Sequence, residues 1–176
     1  WSRFLNCFRS EKTVGGDILW QAGDLIYQGR NTLRQNGNIV TKSFAIPLLW
    51  RGILYGVFCK SKARRSYEYA LRLGGLTPAP IAYREVRYLG ILRESAYACK
   101  TSECSHTFNE LIGNPQFPNR STILQAIGRF TALLHQRGVL HKDYSGGNIL
   151  FSTDGSRIEI VDLNRIRFCR GISMNQ

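Results

Sequence analysis

Acidic side chains are scarce in this sequence: 12 Asp and Glu stand against 24 Lys and Arg, a formal net charge of +12 over 176 residues. That balance suits an anionic partner and argues against a cationic one. The five cysteines, Cys7, Cys59, Cys99, Cys104 and Cys169, are odd in number and include no Cys-x-x-Cys. A fully paired disulfide framework is thereby excluded, zinc-ribbon spacing is absent, and reduced thiols in a cytosolic protein are expected. No thiol lies in a motif that would make it a nucleophile. His106, His135 and His141 have no metal-ligand spacing to one another or to a cysteine. No run reaches the roughly 20 uncharged apolar residues that span a bilayer. Repeats and low-complexity segments are absent too, and apolar residues make up 43%, so the chain reads as a folded domain, not a disordered or fibrous one.

What is present is unevenly spread. Residues 1–100 carry 16 basic and 6 acidic side chains, and residues 101–176 carry 8 and 6, so the first part holds most of the positive field. Residues 22–44 read as a β-meander, with a strand at Asp24–Gln28, a turn at Arg34–Asn38 around Asn-Gly, and a return strand at Ile39–Phe44. Ala63, Tyr67, Ala70 and Leu71 fall at helical spacing and predict a helix over 61–73, closed by Gly74-Gly75. Strands follow at Ile81–Arg87 and Gly90–Cys99, then a linker at Lys100–Ser105. Thr122 with Gln125 fits a capping box. Ile123, Ile127, Phe130 and Leu134 form one apolar stripe of a helix that Gly138 ends. Asn148–Phe151 and Ile158–Val161 make a hairpin about Asp154-Gly155. The order predicts an α+β, two-lobed fold: residues 1–100 as an N-terminal lobe on the nucleotide side, and 101–176 as a partial C-terminal lobe.

The segment Val139-Leu-His-Lys-Asp-Tyr-Ser-Gly-Gly-Asn148 reads H-x-D-x-x-x-x-N, and Asp162 follows the hairpin. Kinases use this arrangement. One Asp orients the attacking hydroxyl and accepts its proton; an Asn and a second Asp reach magnesium, a hard cation that prefers oxygen ligands. The opposing reading is a surface turn with Asp162 capping the next element, which leaves an acid on an apolar strand end unexplained. A kinase also needs a strand lysine for the phosphates and a helical glutamate to hold it; Lys42 and Glu68 occupy those places. Taken alone, Glu68 would read as an i, i+4 partner of Arg64 or Arg72.

The chain resembles the lipopolysaccharide core kinase family, within the protein-kinase-like superfamily, and is most similar to its bacterial Kdo/heptose branch. The resemblance runs through IYQGRNTL (26–33), KARRSYEYALRL (62–73), TPAPIAY (77–83), SHTFNEL (105–111), RFTALLHQRGVLHKDYSGGNILF (129–151) and IVDLNRIRF (160–168), which is nearly the whole chain. It implies a protein-kinase-like fold and Mg2+- and ATP-dependent phosphorylation of a sugar hydroxyl, Kdo or heptose, of the lipopolysaccharide core. It also implies Asp143 as base, Asn148 and Asp162 as metal ligands, Lys42 as phosphate lysine and Glu68 as its partner. Two departures stand out. Gln28-Gly-Arg-Asn31 replaces a G-x-G-x-x-G loop, which turns phosphate contact over to Arg30, Asn31 and backbone amides. The metal motif is Asp-Leu-Asn in place of Asp-Phe-Gly. The chain also begins at Trp1 without Met and ends at Gln176 soon after Asp162, so a truncated C-terminal lobe is expected.

Residues 44–59 are apolar, and basic residues follow from Lys60. They read either as a helix resting on an anionic membrane surface or as a buried helix of the first lobe. With a lipid-anchored acceptor, the expected location is the cytoplasm, peripheral on the inner face of the inner membrane. Alternative functions are a small-molecule kinase of the aminoglycoside or choline type, a pseudokinase, or a basic binding module. Nucleic acid is disfavoured as a partner because no zinc-finger, RNP-like or helix-turn-helix signature accompanies the charge.

Overall fold

The computed structural model describes residues 9–16, 18–46 and 60–169. The chain divides into two compact units: residues 1–72 with 79–101, and residues 73–78 with 102–176. In the first unit, β1 (Arg9–Gly15), β2 (Asp24–Gln28), β3 (Asn31–Asn36), β4 (Ile39–Phe44), β5 (Pro80–Tyr88) and β6 (Ile91–Lys100) form one antiparallel sheet in the order β1-β5-β6-β4-β3-β2. The expected turn at 34–38 is tighter than the sequence suggested. Arg34, Gln35 and Asn36 are strand residues paired with Thr41, Val40 and Ile39, and the reversal is made at Gly37 and Asn38, with Gly37 at φ 55°. A two-residue reversal of this kind matches the twist of the flanking strands.

Helix α1 (Lys62–Leu73) belongs mostly to this unit. Ser61 caps it, accepting from the Arg64 amide at 3.0 Å. Its buried residues are Ala63, Ser66, Ala70 and Leu73, and Ala82, Ala96 and Ala98 are buried in the sheet. The Ala63 amide donates to Ser95 Oγ at 3.3 Å, and Tyr67 meets Tyr83 at 5.4 Å between ring centres. Leu71, expected on the apolar stripe, is 58% exposed, while Ala63, Ala70 and Leu73 take the buried positions. Of the apolar stretch at 44–59, residues 47–59 lie outside the described residues, and with them the choice between membrane and core. No helix among the described residues is long and apolar enough to cross a membrane.

The second unit holds β7 (His106–Thr107), β8 (Val139–His141), β9 (Ile149–Phe151), β10 (Ile158–Ile160) and β11 (Ile166–Phe168) with helices α2 (Phe108–Gly113) and α3 (Arg120–Gln136). Its strands pair as β10-β9-β7 and β11-β8. The stripe Ile123, Ile127, Phe130 and Leu134 of α3 is buried as expected, beside Ile149, Phe151 and Ile160 in the same core. The capping box is elsewhere than expected. Helix α3 begins at Arg120, so Thr122 lies inside it, and Asn119 precedes it in the left-handed region. Thr107 and Glu110 form a capping box at α2 instead. Gly138, at φ 68°, ends α3 and comes so close to the Cys169 carbonyl that a Cβ would sit 2.3 Å from its oxygen. The segment 73–78 joins this unit through Thr77, whose hydroxyl donates to the Ile160 carbonyl at 2.7 Å. Ser102 is tied to β10 through Glu159, a carboxylate 1% exposed that accepts from Ser102 at 2.5 Å and from Arg157 at 2.9 Å.

These packings can be tested at two places. A Cβ on Gly146 would meet Asn109 Oδ1 at 2.2 Å, so Gly146→Ala should cost about 1–3 kcal/mol of unfolding free energy through overpacking. That cost should shrink in an Asn109→Ala background; an equal cost in both backgrounds would contradict the contact. In the β9–β10 turn, hydrogen bonds from Ser152 and Ser156 hold the Asp154 carboxyl down at about 2. A depressed carboxyl supports the fold above its unfolded value, near 4. The stability difference between wild type and Asp154→Asn should therefore close as pH falls from about 4 to about 2. A difference that stays constant across that range would refute it.

Candidate active site

In the second unit the loop after β8 is built around a buried imidazole. His141 Nδ1 accepts from the Asp143 amide at 3.2 Å, which places its proton on Nε2, and Nε2 donates to the Val161 carbonyl at 3.0 Å. The Val161 amide in turn donates to the Asn148 carbonyl at 3.0 Å, and Asn148 Nδ2 donates to the Asp143 carbonyl at 2.9 Å. The four residues close a ring of hydrogen bonds that fixes the Asp143–Asn148 loop against the strand leading to Asp162. Helix α3 adds a second anchor. Thr131 gives its hydroxyl proton to the Ile127 carbonyl at 2.8 Å, so the Tyr144 hydroxyl donates to Thr131 Oγ1 at 2.8 Å. Burial pushes the Tyr144 phenol up, with Thr131 partly offsetting it, so it stays a donor at neutral pH.

Asp143 presents a carboxylate that is 41% exposed, 3.9 Å from the Arg165 guanidinium. Asp162 stands in the left-handed region, φ 56° and ψ 57°, at the start of a 3-10 turn over Leu163–Arg165. A non-glycine residue there is uncommon and is held by its surroundings. Asp162 stands at the N-cap position of that turn without a side-chain capping hydrogen bond to it. Asn164 Nδ2 donates to Asp162 Oδ1 at 3.3 Å.

The donor set fits Mg2+. Because Asn148 commits its amide nitrogen to Asp143, it offers its amide oxygen, and Asp162 offers a carboxylate; both are the oxygen ligands that Mg2+ prefers. Among the described residues there is no cluster of three or more His, Cys, Asp or Glu that could hold a metal alone. A site of two protein ligands completed by phosphate and water is the usual Mg2+ pattern.

The remaining predicted residues are in the first unit. Lys42 sits mid-strand in β4, in register with Leu33 and Tyr97, its ammonium 5.6 Å from the Phe44 ring centre. Glu68 on α1 is ion-paired with Lys60 at 2.6 Å and, at i, i+4, with Arg64 at 2.8 Å; these two cations, and not the expected Lys42, are its partners among the described residues, because they stand on its own helix and just before it. Burial alone would raise the Glu68 carboxyl, but these two cations hold it below its ordinary value. Gly29 and Arg30 form the tip of the β2–β3 hairpin. Asn31 Oδ1 accepts from the Ala45 amide at 3.4 Å, a brace between β3 and the end of β4. The sequence reading missed Asn109, whose side chain packs on Gly146 and Gly147. The consecutive glycines were its one visible trace.

No family model matches the chain, and no curated protein does. Solved structures do. The bifunctional kinase-methyltransferase WbdD matches with a TM-score of 0.58 over 80% of this chain, at 14% identity, and this chain spans 31% of that one. WbdD with the kinase inhibitor LY294002 matches at 0.52 and 15% identity, over 81% of this chain and 32% of that one. WaaP, solved in complex with acyl carrier protein, matches at 0.51 and 17% identity, over 91% and 74%. At these identities the likeness is one of fold, and the chain shares the mixed α and β, kinase-like fold of these structures.

Proposed function

We propose that this chain is the core of an ATP-dependent phosphotransferase that phosphorylates a sugar hydroxyl, of Kdo or heptose, in the lipopolysaccharide core. The observation that carries the reading is the closed hydrogen-bond ring that presents Asp143, Asn148 and Asp162 from one rigid loop and strand end. The resemblance in the sequence and the kinase-like fold support it. Asp143 orients the acceptor hydroxyl and takes its proton while the hydroxyl oxygen bonds to the γ-phosphorus. The bond from that phosphorus to the β–γ bridging oxygen breaks, and ADP leaves with the electron pair. Asn148 and Asp162 would hold Mg2+, which would supply positive charge to offset that of the nucleotide phosphates. Lys42 meets the α- and β-phosphates, without the Glu68 anchor that the resemblance implied, because Glu68 is taken by Lys60 and Arg64; Arg30, Asn31 and hairpin amides take the place of a glycine-rich loop. The acceptor in lipid and the basic first unit fit a peripheral position on the inner membrane's cytoplasmic face.

The test is transfer of labelled γ-phosphate from Mg-ATP to Kdo-lipid A by the full-length protein. Transfer is expected, and Asp143→Ala should lower it by about 10²- to 10⁴-fold, the usual share of a general base. Undiminished transfer by the variant would remove Asp143 from the role. A protein that binds no nucleotide at all would overturn the kinase reading.

A further inference from the structure

The loop from Asp143 to Asn148, Asp-Tyr-Ser-Gly-Gly-Asn, contains no cation. Phosphoryl transfer spreads negative charge over the equatorial oxygens of the moving group, and enzymes meet it with fixed positive charge. Within the second unit, a cation at this point has to come from outside the loop. Arg165 does so. Its backbone is locked to the loop: its carbonyl accepts from the Lys142 amide at 3.0 Å, and buried Leu163 and Ile166 flank it. Its side chain is 58% exposed, with the guanidinium 3.9 Å from the Asp143 carboxylate, beyond hydrogen-bond reach. Among the described residues that loose ion pair is its one side-chain contact to an acid, and no side chain or carbonyl takes up its five donors. Lys142, the other cation beside the loop, forms no ion pair with Asp143 among the described residues. A guanidinium with a fixed base and unused donors, at the carboxylate that receives the acceptor hydroxyl, is built for a planar, anionic oxygen group.

We infer that Arg165 binds the transferred phosphoryl group, acting in cis as an arginine finger. The inference rests on the kinase reading and deepens it. The same chemistry has a second source, a carboxylate or phosphate on the acceptor next to the reacting hydroxyl, and the experiment separates the two.

Wild type, Arg165→Ala and Arg165→Lys full-length protein are compared in two measurements. The first is binding of Mg-ADP with and without aluminium fluoride, a stand-in for the phosphoryl in flight. Wild type should bind the fluoride complex about 10²-fold or more tightly than Mg-ADP alone. Arg165→Ala should lose most of that gain while holding Mg-ADP unchanged, and Arg165→Lys should keep only part of it. The second is steady-state transfer, in which Arg165→Ala should lower kcat by about 10³-fold or more and leave KM for ATP and acceptor near wild type. An undiminished fluoride gain in Arg165→Ala would overturn the inference. So would a defect confined to the KM of acceptors that carry an anion beside the hydroxyl, which would assign Arg165 to the acceptor. Wild type that neither transfers phosphate nor binds nucleotide would bring down the kinase reading itself, a result distinct from either.

Discussion

The two hydrogen bonds of the His141 imidazole are the constraint on which the candidate site depends. One fixes the amide of Asp143 and the other the carbonyl of Val161, so a single buried ring sets the loop and the strand end at once. Because the ring is buried, both of its nitrogens must be satisfied, and only one tautomer does so. Pairing of β8 with β11 extends the same junction, with His141 opposite Ile166. The left-handed Asp162 follows Val161 directly and is the residue at which the chain leaves β10 for the turn towards β11.

Packing around the loop follows from this. Tyr144 is anchored to α3 through Thr131, and Gly146 lies where Asn109 of α2 leaves no room for a side chain. Helix, loop and hairpin therefore share one core of Ile123, Ile127, Phe151 and Ile160, and the polar groups stand at its edge. The charges are arranged differently in the two units. In the first, Glu68 is surrounded by cations from its own helix and the residues before it; in the second, the buried Glu159 is neutralised by Arg157 and pins Ser102. The first is partly exposed and exchangeable, the second is sealed.

Much of this was legible from the residues because it is local. The α3 stripe obeys the helical period, and the Asn36-Gly37-Asn38 turn obeys backbone sterics. H-x-D-x-x-x-x-N with a later Asp is a spacing that can be read directly. What was not legible is non-local. Strands β1 and β3, RSEKTVG and NTLRQN, carry few β-formers and no clean alternation; they are strands because a neighbour's backbone completes them. The capping box at Thr107 rather than Thr122 depended on where α3 starts, which Asn119 decides. Leu71 was placed on the apolar stripe yet faces out, and Leu73 takes the buried position. Asn109 could not be tied to Gly146 without the fold, and Glu68, expected to hold Lys42, is paired with Lys60 and Arg64 instead.

The central claim is that Asn148 and Asp162, held by the His141 ring, form the metal side of a nucleotide site. The most direct measurement is calorimetric titration of ATP into the full-length protein and its Asp162→Asn variant, each with and without Mg2+. The account predicts that Mg2+ tightens ATP binding to wild type and that this gain disappears in the variant while metal-free binding stays the same. An equal Mg2+ gain in both proteins would contradict it.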